Sequence, residues 1–104
     1  MATSLAKKYK LVYKTSFAAA HRIEDYSGRC SSIHGHTYLV EVVVEGSLNS
    51  LNMVIDVDVL KKTVEEVISL LDHRYVNEVL NKRNVTMELL ASWIMAEVSR
   101  RLPF

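Results

Sequence analysis

The sequence is poor in the residues that crosslink or break a chain: among 104 residues it has one cysteine, one proline and three glycines. One cysteine cannot form an intramolecular disulfide, and a free thiol is typical of a reducing compartment, so we expect a cytoplasmic protein. No apolar run approaches the roughly 20 residues of a membrane span, and the amino terminus has no signal-peptide pattern. These absences exclude a disulfide-stabilised secreted domain and predict no membrane partner.

An excess of either charge is also missing. Thirteen Lys and Arg stand against twelve Asp and Glu, a net charge of +1, so bulk charge predicts no nucleic-acid partner. With 49% hydrophobic residues the chain is typical of a globular protein, and its length predicts a single domain over residues 1–104. Because so short a chain buries a small core, we expect a homo-oligomer.

Two stretches have the alternation of β-strands, over residues 9–21 and 36–46. The second is rich in β-branched residues and places four apolar side chains on one face: Tyr38, Val40, Val42 and Val44. If this geometry extends back along the chain, His34 and His36 project to that same, covered face.

Apolar residues recur at helical spacing over 57–71, after Asp56 or Asp58 as a plausible N-cap. A second helix is predicted to begin after Thr86 as its N-cap, with Glu88 in its first turn, where the helix dipole favours an anion. Residues 53–56 are read as a short strand. The predicted order is therefore two main strands followed by two helices.

The segment "GRCSSIHGHTY", residues 28–38, holds the only cysteine and two of four histidines. His34 and His36, two apart on a strand, point to the same side, and His21 closes the preceding strand. Three neutral imidazoles with an open fourth position are typical of a catalytic zinc site. A closed structural zinc site, with Cys30 as fourth ligand, is the alternative. Cys30 can instead be a base or nucleophile whose pKa a neighbouring cation lowers.

The fourth histidine lies in "LLDHRYVN". The carboxylate of Asp72 can orient the imidazole of His73 and raise its basicity. Adjacent residues in a loop need not touch, so a solvated pair without function is the alternative interpretation.

Together the motifs "FAAAHR", "C-x-x-x-H-G-H", "MVIDV..LK", "LDHRYVN" and "T-x-E" resemble the 6-pyruvoyltetrahydropterin synthase superfamily, from about Tyr9 to Pro103. The resemblance is strongest to the branch of 6-carboxytetrahydropterin synthases of queuosine biosynthesis. It implies that His21, His34 and His36 hold Zn²⁺. It also implies that Cys30 transfers protons and that Asp72 and His73 complete a catalytic triad from a neighbouring subunit.

The implied reaction is a lyase reaction on 7,8-dihydroneopterin triphosphate. It yields 6-carboxy-5,6,7,8-tetrahydropterin and releases acetaldehyde and triphosphate. The three-residue gap between Cys30 and His34 resembles the carboxy branch. A 6-pyruvoyltetrahydropterin synthase, which eliminates triphosphate, and a catalytically silent zinc-binding homologue remain alternatives. A further branch, which makes a 6-hydroxymethyl product, uses a glutamate near this segment, and "CSSIHGH" has none.

The implied fold is α+β: a T-fold (tunnelling fold) subunit with an antiparallel sheet and two helices packed on one face. Family members usually continue into two more strands, which this sequence lacks, so we expect a chain shortened at its carboxyl terminus. Thr86 and Glu88 match family positions near the pterin pocket and are expected to contact substrate. The resemblance further implies a homohexamer, a dimer of trimers, with active sites between subunits.

Overall fold

The computed structural model describes residues 7–103 and orders its two long strands and two long helices as the sequence predicts, with one added helix. The strands are β1 (Tyr9–His21) and β2 (His34–Gly46), and a 3₁₀ turn over Arg29–Ser31 lies between them. The helices are α1 (Val57–Ser69), the short α2 (Val76–Leu80) and α3 (Met87–Arg101). The added helix is α2, which begins in a stretch that the sequence predicts to be a loop.

The two strands form a long antiparallel ladder. Its register runs without interruption from Tyr9 opposite Gly46 to His21 opposite His34. Within residues 7–103 the sheet has these two strands, and their inward side chains pack beneath α1 and α3. The expected antiparallel sheet with helices on one face is thus confirmed. Strand β2 begins at His34, two residues before its predicted start, so both histidines lie on regular strand.

The core lies between the sheet and the helices. Helix α1 buries its apolar residues from Leu60 onward, while Val57, the first residue of the predicted stripe, is 51% exposed, and α3 buries one residue per turn; the buried members are Leu60, Val64, Val67, Ile68, Leu90, Ile94 and Val98. Met87, which the periodicity also assigns to the α3 stripe, is 68% exposed because it borders an open groove beside β2. None of the helices between residues 7 and 103 is long and apolar enough to cross a lipid bilayer.

Both main helices begin at predicted caps. The Asp56 side chain accepts a hydrogen bond from the Asp58 N–H, and Thr86 Oγ1 accepts one from the Leu89 N–H. Such caps satisfy amide groups that have no partner within the helix. The cap at Thr86 also marks the end of the segment that connects α2 to α3, and this segment contacts His21.

The short strand predicted over residues 53–56 is wrong. This stretch is a bend, and the side chain of Asn49 accepts hydrogen bonds from the N–H groups of Leu51 and Met53. A side-chain oxygen therefore occupies the Met53 amide, which a strand partner would have used, and this is how Asn favours turns over sheet.

Candidate metal centre

The register of the hairpin brings three imidazoles together at one end of the sheet. His21 lies directly opposite His34, and His36 follows two residues on along the same face. The ring centroids are 4.4 Å apart for His21 and His34, 4.8 Å for His34 and His36, and 5.2 Å for His21 and His36. One nitrogen from each ring lies within 4.8 Å of the others. The three histidines are therefore positioned to bind one metal ion.

His21 is the buried member of the cluster, with 5% of its surface exposed. Its Nδ1 lies 2.7 Å from the carbonyl oxygen of Val85. Because a carbonyl can only accept, Nδ1 carries the hydrogen and Nε2 keeps a lone pair. Burial lowers the pKa of His21, the charges of the other two imidazoles lower it further, and the Val85 carbonyl acts in the opposite direction. A lowered pKa favours the neutral form of the ring, which is the form that binds a metal.

The buried Nε2 of His21 has no hydrogen-bond partner within the described chain. Buried polar atoms are nearly always paired, so an unpaired nitrogen facing two other imidazoles needs an explanation. His34 has the same arrangement, with Nδ1 2.7 Å from the Ser32 carbonyl oxygen. Metal-bound histidines typically donate their second ring N–H to a carbonyl in this way. A zinc ion therefore fits the residues present.

Cys30 lies in the 3₁₀ turn that precedes β2, and it is partly exposed. Its main-chain oxygen accepts a hydrogen bond from the Ile23 N–H at 2.7 Å, which ties the turn to the end of β1. Its sulfur is not part of the one cluster of three or more potential ligands found within residues 7–103. The role of Cys30 in proton transfer stays a prediction.

Asp72 and His73 do touch, in the loop between α1 and α2. The Asp72 Oδ2 lies 3.1 Å from His73 Nδ1, and Asp72 Oδ1 accepts the Ala18 N–H at 3.0 Å. His73 has a positive φ of 59° and donates its own N–H to the Ala18 oxygen. The Ala18 amide, followed by His73, lowers the pKa of Asp72. The carboxylate is thus held ionised against β1 and orients the exposed imidazole.

An open depression of about 610 Å³ lies between the ends of β1 and β2 and the loop that carries His73. Both His36 and His73 line it, together with residues 18–20 and Tyr75. An apolar groove of about 660 Å³ lies elsewhere, between β2 and α3, and none of the four histidines lines it. Of these two cavities, the depression is the one that borders imidazoles, at His36 and at His73.

Thr86 and Glu88, the expected substrate contacts, lie one and three residues after Val85, whose carbonyl contacts His21. Thr86 is half-buried and its oxygen caps α3, while Glu88 is exposed in the first turn. Neither lines the depression beside His36. Their contact with substrate stays a prediction.

The sequence pattern did not indicate which residues support His21. The Val85 carbonyl is a main-chain group, which no side-chain pattern identifies. Asn77, in "LDHRYVN", is 7% exposed and its amide makes three hydrogen bonds to main-chain groups. A buried asparagine in a short helix is a signal, but its partners are about 6 and 55 residues away in sequence.

The fold and these residues agree with a known family. The model of the 6-pyruvoyl tetrahydropterin synthase family matches residues 10–103, which include every candidate site residue. The chain belongs to this family. It is accordingly a pterin-processing enzyme of the tetrahydropterin synthase type.

Two curated relatives and one solved structure are similar to this chain over most of its length. A dihydroneopterin monophosphate aldolase of Pyrococcus furiosus is 40% identical over 98 residues, covering 92% of this chain and 80% of the relative. A 6-carboxy-5,6,7,8-tetrahydropterin synthase of Synechocystis is 34% identical over 95 residues, covering 85% and 74%. The 6-pyruvoyl tetrahydropterin synthase of Caenorhabditis elegans superposes with a TM-score of 0.84 at 26% identity, covering 94% and 81%.

Proposed function

We propose that this protein is a zinc-dependent 6-carboxy-5,6,7,8-tetrahydropterin synthase of queuosine biosynthesis. Its substrate is 7,8-dihydroneopterin triphosphate, and its other products are acetaldehyde and triphosphate. The observation that carries the proposal is the convergence of three imidazoles within 4.8 Å, one of them with a buried and unpaired Nε2, in a chain of this family. The three-residue gap between Cys30 and His34 favours the carboxy product.

His21, His34 and His36 hold the metal in this proposal, with the Nδ1 atoms of the first two bound to carbonyls and their Nε2 atoms free for it. Bound zinc supplies Lewis acidity, which makes the hydroxyl groups of a bound substrate more acidic. Because His36 lines the open depression, the side chain of the pterin binds on that side of the cluster. The pterin ring lies towards Thr86 and Glu88.

Cys30 and the Asp72–His73 pair move the protons. Asp72 accepts the Nδ1–H of His73, which leaves Nε2 of that ring free to take or return a proton. The thiol of Cys30 acts as the second acid–base group. The active sites lie between subunits of a homohexamer, where His73 of one subunit serves the cluster of another. The side chain of His73 is 83% exposed in the isolated chain, which suits a group that completes a partner's site.

A second candidate reaction is cleavage of dihydroneopterin monophosphate to a 6-hydroxymethyl pterin. The observation that favours it is the aldolase among the relatives, at 40% identity. Against it stands the segment "CSSIHGH", which lacks the glutamate expected near this position in that branch. Both reactions remove two carbons of the three-carbon side chain, but they leave the remaining carbon as a carboxyl group in one case and as a hydroxymethyl group in the other, so their products identify them.

The test is a product analysis. Zinc-loaded protein is incubated separately with the triphosphate and the monophosphate, and the pterins and aldehydes are identified by mass spectrometry, with His36→Ala as the control. A 6-carboxy pterin with acetaldehyde supports the proposal. A 6-pyruvoyl product from the triphosphate, or a 6-hydroxymethyl product from the monophosphate, assigns the protein to another branch. Bound zinc without any product overturns the enzymatic proposal in favour of a silent homologue.

A further inference from the structure

The orientation of His21 in the metal centre depends on a main-chain carbonyl that lies outside the helices and long strands. The Val85 oxygen, which orients His21, lies between the left-handed residue Asn81 that ends α2 and the cap of α3 at Thr86. Residues in such a connection are free to shift unless other contacts fix them. What positions this carbonyl therefore also decides where the Nε2 atom of His21 points.

The side-chain amide of Asn77 joins the two parts concerned. Its Oδ1 accepts the Arg22 N–H at 3.0 Å, and its Nδ2 donates to the Arg22 oxygen at 2.9 Å. The same Nδ2 donates to the Arg83 oxygen at 3.0 Å. One buried amide thus binds the residue after His21 and the segment two residues before Val85.

The orientation of this amide follows from its partners. Two carbonyls lie at one end and an N–H at the other, so only the arrangement with Nδ2 towards the carbonyls satisfies all three groups. The Val85 N–H also donates to the Arg22 oxygen at 3.2 Å. Arg22 is therefore tied directly to Val85 and, through Asn77, to Arg83.

We propose that Asn77 is a positioning residue of the metal centre. By fixing Arg22 against the segment Arg83–Val85, it sets the distance between the His21 ring and the Val85 carbonyl before any metal binds. The inference rests on the proposed metal site and adds a residue to its support. Groups that orient ligands from outside typically change metal affinity about 10- to 100-fold when they are replaced.

The test compares metal affinity with stability. Asn77→Asp keeps the shape and the acceptor but sets an oxygen against two carbonyls, while Asn77→Ser removes the amide. The matched control is Val76→Ala, which removes fully buried apolar atoms from the same helix without touching these hydrogen bonds. Zn²⁺ affinity is measured by chelator competition, and Co²⁺ absorption reports the ligand geometry, at a temperature where circular dichroism shows each variant folded.

The expected result is a loss of Zn²⁺ affinity of about 10- to 100-fold and an altered Co²⁺ spectrum in the Asn77 variants. The Val76→Ala protein should melt at a lower temperature and keep its affinity. Equal affinity in wild-type and Asn77 variants overturns the inference and leaves the metal site intact. Absence of metal binding by the wild-type protein instead overturns the proposed function.

A measurement on the unaltered protein decides the question if the variants do not fold. In the metal-free wild type, the side-chain amide protons of Asn77 should exchange slowly with solvent, because their hydrogen bonds exist before metal arrives. Rapid exchange that becomes slow only after Zn²⁺ is added would show that the metal orders Asn77, and not the reverse.

Discussion

The imidazole cluster and the Asp72–His73 pair lie at the same end of the sheet but are held in different ways. The cluster is carried by side chains of a continuous strand ladder, and His21 is 5% exposed. The pair lies in a loop, anchored to the main chain of Ala18, and the side chain of His73 is 83% exposed. The three imidazoles are thus brought together within one chain, whereas the Asp72–His73 pair lies in a loop and its imidazole is exposed.

The largest expected effect breaks the cluster. His36→Ala removes a ligand that is exposed and carries little of the core, so the fold should persist while Zn²⁺ affinity falls by more than about 100-fold, since even changes outside the ligand set cost about 10- to 100-fold. Zinc content and chelator competition measure this. The control is Thr37→Ala, on the opposite face of the same strand. Equal metal in the His36 variant and the wild type would refute the site.

Cys30→Ala tests whether the thiol belongs to the cluster or to the acid–base groups. The variant should keep its zinc and lose turnover by about 10²- to 10⁴-fold, the usual contribution of one general acid or base. Turnover and metal content are measured on the same preparation, with Ser32→Ala as control. If the metal disappears together with the activity, sulfur is a ligand and the assignment is wrong.

Mixing two inactive variants tests whether the pair serves another subunit. Subunits of Cys30→Ala and His73→Ala that exchange at random in a hexamer should restore about one quarter of the sites, because a complete site then takes its cysteine and its histidine from different chains. Turnover of the mixture is measured after mass spectrometry has verified exchange. Mixed assemblies that remain inactive would place both groups in one chain.

The attachment of the pair to β1 predicts a pH dependence. The Ala18 amide, and after it His73, lowers the pKa of Asp72, so the carboxylate stabilises the fold above the ordinary Asp pKa of about 3.9. That stabilisation should be lost as the pH falls through the lower pKa of the folded state. Melting temperatures between pH 2 and pH 6 should therefore fall less steeply in Asp72→Asn than in the wild type. The exposed Glu78→Gln controls for the loss of a carboxylate; equal slopes in wild type and Asp72→Asn contradict the prediction.

The smallest effect is expected at Tyr13, which lies away from the imidazole cluster along the hairpin. Tyr13 donates a hydrogen bond of 2.6 Å to Glu65 on α1, and this bond, with burial, raises the pKa of the phenol. Tyr13→Phe should cost about 1 kcal/mol of unfolding free energy, as one hydrogen bond typically does. Denaturant unfolding measures the loss. Zinc affinity should not change, and a change would mean that the cluster depends on the whole sheet and not on its own end.

Much of the fold was predictable because its signals are local. Strand β1 has the predicted bounds of residues 9–21, and Asp56 and Thr86 cap the helices as expected. Two features were not predicted. Residues 53–56 have the composition of a strand, but the side chain of Asn49 accepts the hydrogen bond of the Met53 amide. Helix α2 is only five residues long, which is too short for a periodic signal.

The metal cluster was predictable in part. Strand parity places His34 and His36 on one face, and any antiparallel pairing of the strands allows His21 to approach them. The register that sets His21 directly opposite His34 is not encoded at those residues, because it results from the packing of the whole apolar face beneath the helices.

The sequence by itself determined the two long strands, the two long helices, the shared face of two histidines and the resemblance to the pterin synthases, since each depends on residue types at short spacing. Only the tertiary structure decided which atoms orient the ligands. The Val85 carbonyl reaches His21 across 64 residues, and Asn77 reaches Arg22 across 55. Such contacts involve main-chain groups that every residue has, so their pairing depends on the folded path of the chain and leaves no mark on composition or periodicity.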